Sequence, residues 1–296
     1  MLLSDYLTQI RNLVHDVGAV DFPDATLINY INNARNAVAL DFSCVTQFIA
    51  GMNLIAQQEA YSFNGVIGGA NITNGGVNYV TPVVAIAAPP AGGIQATATA
   101  VQTAGVVTGI TMTNWGQGYI TAPAVTITDS TGPGASATAT AIGIFNAYNV
   151  LFINVIWGNQ RYQLRFRGFT LFNAYMRSQL QYYMRPGAFS MAPIQMQQVY
   201  LQPVPDQVYG TEWCVFTLPY ALVNPTDADM QVLQPQADAV QYYAAFLALM
   251  SLQNFGQADY MMKLYDRRVP KIITGTGGIR IPNPYNKNFQ RRVART

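Results

Sequence analysis

Ten residues, Ile72-Thr-Asn74-Gly-Gly76-Val-Asn-Tyr79-Val-Thr81, recur forty positions later as Met112-Thr-Asn114-Trp-Gly116-Gln-Gly-Tyr119-Ile-Thr121. A second phrase, Ala96-Thr-Ala-Thr-Ala-Val101, returns forty-one positions on as Ala137-Thr-Ala-Thr-Ala-Ile142. Alternation of Ala with Thr has the period of a β-strand, with small residues on one face. Pro89-Pro90, Gly92-Gly93 and Gly132-Pro133-Gly134 punctuate the stretch as turns. The repeat therefore predicts an all-β domain of two similar units over residues 64–144. It reads as an insert in a host, placed at a loop between strands where insertion is tolerated.

Charge sets this stretch apart. Between residues 60 and 160 Asp129 is the single charged side chain. Charged residues make up 10% of the 296, against about 25% in a typical soluble domain, and half the residues are hydrophobic. That is enough apolar material for a large core. No apolar run approaches the roughly 18 residues of a membrane span, and residues 242–250 read as a buried helix. The opening Met1-Leu-Leu-Ser-Asp5 lacks a basic region ahead of an apolar stretch, so no cleaved signal peptide is expected. Disordered chains are poor in the aromatic and β-branched residues that abound here. The surface must then be covered by Asn, Gln, Ser, Thr and Gly, or by other copies of the protein.

The net charge of +2 hides an asymmetry: residues 1–266 hold 8 Lys/Arg and all 14 acids, whereas residues 267–296 hold 8 Lys/Arg and no acid. A basic tail on a mildly acidic body suggests docking to an acidic partner or contact with nucleic acid, against the plain reading of a solvated, frayed terminus. Cys44 and Cys214 allow one bridge at most; with no metal or redox spacing they read as two reduced thiols.

The host segments are predicted from periodicity and punctuation. Ser4 caps a first helix with Leu7, Ile10, Val14 and Val17 on one face, and Gly18 sits at its stop. Asp24, after Phe22-Pro23, caps a second helix along Leu27, Ile31, Ala34 and Val38. Strands over 45–49 and 52–55 flank Gly51, a bulge or turn. Beyond the insert, 150–156 and 162–166 read as a hairpin about Gly158-Asn159, followed by a helix over 171–183 that ends at Arg185-Pro186-Gly187. Another strand pair, 196–201 and 213–218, is separated by a proline-containing loop. A helix over 237–253 carries Val240, Tyr243, Ala244, Leu247 and Met250 on its apolar face. The last helix, 258–268, is ended by Pro270, and glycines and prolines in 274–284 argue for an extended tail. The fold class is α+β: a helical core of an N-terminal hairpin plus C-terminal helices, with β-hairpins and the inserted all-β domain. The expected domains are a discontinuous body (1–63 and 145–270), the insert (64–144) and a basic tail (271–296).

No catalytic, cofactor or metal residues are assigned. His15 is the one histidine and lies within a helical pattern without a partner dyad. Asp227 and Asp229 follow Asn224-Pro225-Thr226 as a turn cluster, and the Gly and closing Glu of a calcium loop are missing. Gly275-Thr-Gly-Gly278 lacks the Lys-Ser/Thr of a phosphate loop. Enzyme activity is not expected. Binding is better supported. Tyr79, Trp115 and Tyr119, beside glycines, are candidate contact residues of the insert, for sugars or a neighbouring subunit. The stronger reading packs them inside, because a domain of some 80 residues needs its few large side chains in its core. Arg161, Arg165 and Arg167 alternate along a strand, as a phosphate-facing stripe or as the solvated face of an edge strand.

Several host phrases resemble the head-to-tail adaptor (connector) proteins of short-tailed, podovirus-type bacteriophages. Leu7-Thr-Gln-Ile-Arg11 and Phe22-Pro23-Asp24-Ala-Thr-Leu-Ile-Asn-Tyr30-Ile-Asn-Asn-Ala-Arg35 look like the family's first helical hairpin. Leu54-Ile-Ala-Gln-Gln-Glu59-Ala-Tyr61-Ser-Phe63 looks like the strand that follows. Arg185-Pro186-Gly187-Ala188-Phe189-Ser190, leading into Gln198-Val-Tyr200-Leu-Gln-Pro203-Val-Pro205-Asp206-Gln-Val-Tyr209, is similar to its middle. Gln241-Tyr242-Tyr243-Ala244-Ala245-Phe246-Leu247 resembles the packing helix near its end. The insert departs from the basic family plan; Gly116-Gln-Gly118-Tyr119-Ile-Thr-Ala-Pro123 looks like modules of other phage structural proteins.

The resemblance implies a virion protein, made in the bacterial host cytoplasm, that forms a ring typically of twelve copies between portal and tail. It implies no membrane, a central channel that passes DNA without sequence recognition, and contacts with a tail nozzle or tube. The C-terminal segment would dock on the portal, with Arg280, Tyr285, Lys287, Phe289, Arg291, Arg292 and Arg295 as its candidate residues. The insert would project to a tail fibre, spike, capsid element or the host surface. The alternatives are a glycan-binding module of a phage tail or wall-associated protein, and more distantly a virion hydrolase.

Overall fold

The computed structural model describes residues 1–173, 183–191, 197–233 and 236–276. The fold is α+β, and the chain divides into two compact units, residues 1–45 with 219–296 and residues 46–218. The expected boundaries at 63/64 and 144/145 do not part the chain: the host strands and the insert share one unit, because they share one apolar core.

The first unit is helical: α1 (Leu3–Val14), α2 (Asp24–Phe42), α3 (Ala237–Ser251) and α4 (Phe255–Thr276). Leu27, Ile31, Ala34 and Val38, the stripe predicted for α2, are all fully buried. Burying each of the three larger ones contributes about 1.5–3 kcal/mol. The N-cap of α1 is Leu2, two residues earlier than the expected Ser4. Its first amides donate to carbonyls of Pro225 and Asp227, and the Asp5 carboxylate accepts from Leu2 N at 2.9 Å. The helix stops at His15, in the left-handed region at φ 60°, ahead of Gly18, which leaves Val17 exposed. After it, Asp16 gathers the amides of Val20, Asp21 and Phe22 and the Arg11 guanidinium, and Arg11 also reaches Asp24 at 2.6 Å. That knot, with no single cap, sets the turn into α2.

On α3 the buried face keeps Val240 and Ala244 of the predicted stripe but is turned from Met250 toward the alanines. Ala237, Val240, Ala244, Ala245, Ala248 and Leu249 face the core, while Met250 is 41% exposed. Small alanines let α1, α2 and α4 pack close against it, which a face of Met and Leu would prevent. Likewise α4 runs through Pro270 to Thr276. Proline costs its own amide bond, yet Lys271-Ile-Ile-Thr274 contains no breaker, so the extended tail expected from 271 does not begin there.

The second unit is built of strands. One sheet has the order β1-β14-β9-β10, all antiparallel, from Thr46–Asn53, Gly210–Thr217, Ala147–Trp157 and Gln160–Gln163. Gly51, at φ +85°, forms the bulge in β1. A second sheet joins β11 (Arg165–Phe166), β12 (Ala188–Met191), β13 (Gln198–Gln202) and β2 (Ala60–Ser62). The segments expected to pair at 196–201 and 213–218 are β13 and β14 and lie in different sheets, since the long proline loop between them sets no hairpin register. The predicted second arm at 162–166 is also split: Leu164 N still donates to Ile153 O, but Arg165 N donates to Gly187 O in the other sheet. Most of the helix expected over 171–183 lies outside the described residues.

Within this unit the insert forms a pseudo-dimer. β3 (Val66–Asn74), β4 (Pro82–Ile86) and β5 (Thr97–Thr103) are repeated as β6 (Val106–Asn114), β7 (Ala124–Asp129) and β8 (Thr138–Ile144). The first strand of each repeat pairs with the last strand of the other, β3 with β8 and β6 with β5. β4 and β7 cross antiparallel with Val84 opposite Ile127 and Ile86 opposite Val125, two pairs that the 41-residue repeat interchanges. Asn74 Oδ1 accepts from Gly76 N at 3.0 Å, as Asn114 Oδ1 does from Gly116 N at 2.8 Å. The symmetry breaks at one position, which holds Gly75 in the first repeat and Trp115 in the second. A Cβ at Gly75 would stand 2.5 Å from Val106 Cγ1, so the first repeat closes there directly on β6 of the second.

Candidate functional site

The residues singled out for the insert surface lie inside. Tyr79, Trp115 and Tyr119 are 2%, 3% and 5% exposed, which agrees with the stronger reading that packs them inside and corrects their alternative reading as contact residues. Trp115 rests on Tyr61 and Trp213, with ring centroids 4.8 and 5.7 Å away, and its Nε1 donates to Asn53 O at 2.9 Å. The Tyr119 hydroxyl accepts from Ala96 N and donates to Ala87 O, and the Tyr79 hydroxyl accepts from Ala137 N. Buried aromatics with polar handles are satisfied internally in this way, and these three offer no stacking platform to a sugar. The tail residues Arg280, Tyr285, Lys287, Phe289, Arg291, Arg292 and Arg295 lie outside the described residues.

The arginine stripe is partly dismantled. Arg161, on β10, is drawn to Glu212, with Nε to Oε1 at 2.5 Å. Burial works against the Glu212 carboxylate, but hydrogen bonds from Arg161 and Asn154 outweigh it and hold its pKa below the ordinary value. Arg165 and Arg167 go elsewhere. Their amides donate to Gly187 O and Phe189 O, which lays the strand parallel to β12 and beside Arg185. Arg165, Arg167 and Arg185 line a cavity of about 410 Å³ with Tyr162, Gln163 and Gln202.

No Asp or Glu is among the described residues of its wall, and these three arginines form no ion pair with a described acid. Arg185 is half-buried, its Cζ 4.1 Å from the Tyr162 ring centroid and 5.1 Å from that of Trp157. Trp157 in turn stacks on Tyr209 at 5.7 Å, and Tyr209 Oη donates to Asp206 at 2.6 Å. Stacking against aromatic faces fixes a guanidinium in place while its N–H edge stays free to donate.

From the sequence, Arg185 marks only the end of a helix. The signal for it was present: all five basic residues between positions 46 and 218 are arginines within 161–185, a window with no acid. A second cavity, of about 330 Å³ beside Arg35 and Tyr220, has no such free charge. Arg35 donates there to Asp229, Asn32 Oδ1 and Tyr220 O. His15 is exposed at its helix stop. Asp227 accepts from the amides of Val223 and Asn224, closing a turn. Both cysteines are free thiols, and burial pushes Cys44 up to about 11. Among the described residues no three His, Cys, Asp or Glu converge as metal ligands, and no helix is long and apolar enough to cross a membrane. No protein-family model matches the chain, and no curated protein matches it significantly.

Proposed function

We propose that this chain is a structural subunit of a bacteriophage virion, assembling as a ring between portal and tail through which DNA passes. The observation that supports self-assembly is the outward placement of large apolar side chains on the helical unit. Leu40, Leu252, Phe255 and Tyr260 are 50%, 47%, 61% and 56% exposed, while alanines fill the core face of α3. Apolar groups turned outward in this way are the material of a protein–protein surface. In the ring, the helical unit packs sideways on its neighbours, and the tail beyond residue 276, with five basic residues and no acid, docks on an acidic groove of the portal.

The insert fits the same reading as a module that meets another virion component by shape and amide hydrogen bonds. Its one charge, Asp129, is consumed internally by the amides of Val80, Thr81, Thr131 and Gly132. Negative-stain imaging and sedimentation of the purified protein, alone and with a candidate portal, test the proposal. A ring or a portal-bound collar is expected. A monomer at all concentrations that ignores the portal would remove it.

A further inference from the structure

We infer that the arginine cavity of the second unit is a binding site for the phosphodiester backbone of DNA, with Arg185 as its fixed donor. Three arginines converge on one concavity without an acid in its described wall. Arg165 and Arg167 are exposed and Arg185 is half-buried, so the three guanidinium groups present their donors to an anion that enters from solvent. Backbone hydrogen bonds hold the 165–167 strand beside Arg185 and so force the proximity. The residues are all Arg, whose planar fork meets phosphate oxygens in pairs, and the aromatic contacts of Arg185 pre-orient that fork.

The contrast with Arg161 sharpens the assignment. That side chain lies four positions before Arg165 and is neutralised by Glu212, so the fold had an acid to hand and left the other three unpaired. The arginine donors of the described wall suit phosphate oxygens, a contact that positions a strand without reading its sequence. An acidic protein surface is the competing occupant. A phosphodiester strand is favoured because it supplies a regular row of charges to Arg165 and Arg167, two apart on one strand. The inference rests on the connector reading only in bringing DNA past this chain.

The test is fluorescence anisotropy of a labelled 30-base-pair duplex with the full chain across a salt series. The basic tail contributes equally in every protein compared, so differences report the cavity. Each of Arg165→Ala, Arg167→Ala and Arg185→Ala is expected to lower the slope of log K against log salt by about 0.9, and the triple variant by about 2.7. Arg185→Lys keeps the charge and the slope but weakens binding, and Arg161→Ala changes neither. A photo-crosslinker at the cavity residue Gln163 should capture the duplex. An unchanged slope in the triple variant overturns the inference. So does loss of poly-glutamate binding with DNA binding intact, which would assign the cavity to an acidic protein. Sedimentation on the same samples separates the two readings: a ring whose slope ignores the triple variant refutes the cavity alone, and cavity-dependent binding by a monomer refutes the ring alone.

Discussion

Arg35 and Asp229, 194 positions apart, meet fork to fork in the helical unit, with Nε–Oδ2 and Nη2–Oδ1 both 2.8 Å and side-chain exposures of 1% and 0%. Tyr6 of α1 donates to the same carboxylate, and Asp229 Oδ1 accepts the amides of Gln231 and Val232. One carboxylate therefore ties α1, α2 and the loop before α3. Burial, and then the Asp229 charge, push the Tyr6 phenol well above its ordinary pKa, which keeps it a donor.

Asp229→Ala strands a buried guanidinium and should lower the stability of the helical unit by about 3–5 kcal/mol. Replacing both partners, as Arg35→Met with Asp229→Leu, should recover much of the loss. Urea unfolding followed by far-UV circular dichroism reads both variants. A double variant no more stable than the single one would contradict this account.

Trp115→Ala removes the side chain that joins the insert to the host sheet. The loss expected is about 3–5 kcal/mol in the unfolding of the second unit, as for other buried aromatic truncations. Near-UV circular dichroism should lose the Trp115–Trp213 contribution.

The pseudo-twofold of the insert makes Tyr79→Phe and Tyr119→Phe comparable. Each leaves one amide, of Ala137 just before β8 or Ala96 just before β5, without its acceptor, at about 1–3 kcal/mol. Amide hydrogen exchange should quicken at Ala137 in the first variant and at Ala96 in the second, each in the repeat opposite the substitution.

Asp129 sets a pH dependence. Burial opposes its ionisation, but the amides of Val80, Thr131, Thr81 and Gly132 outweigh that and hold its pKa well below the carboxylate range. A depressed pKa contributes stability that is complete above the unfolded value of about 3.9 and is lost as pH falls through the folded value. Exchange at Val80 and Gly132 should thus stay slow at pH 4 in the native protein. Asp129→Ala should speed it at pH 7.

Deleting residues 277–296 should abolish portal binding and leave the helical unit folded, as judged by co-sedimentation and circular dichroism. Normal portal attachment by the shortened protein would refute the docking role of the tail.

Local regularities carried the reading where neighbours in the chain decide the outcome. The 3.6-residue spacing of Leu27, Ile31, Ala34 and Val38 and the glycine bulge at 51 stand as expected, because helix faces and bulges follow from side-chain size and backbone freedom nearby. The forty-residue repeat likewise announced two similar β units. Its sequence could not show that each unit takes its last strand from the other, nor that Trp115 leaves its own repeat for Tyr61 and Trp213. Strand partners, the sheet that claims Arg165, the alanine face of α3 and the convergence of Arg165 and Arg167 with Arg185 all depend on segments distant in the chain. Their pairing is selected by which surfaces pack without voids and which buried polar groups find partners, quantities that exist only once the chain is folded.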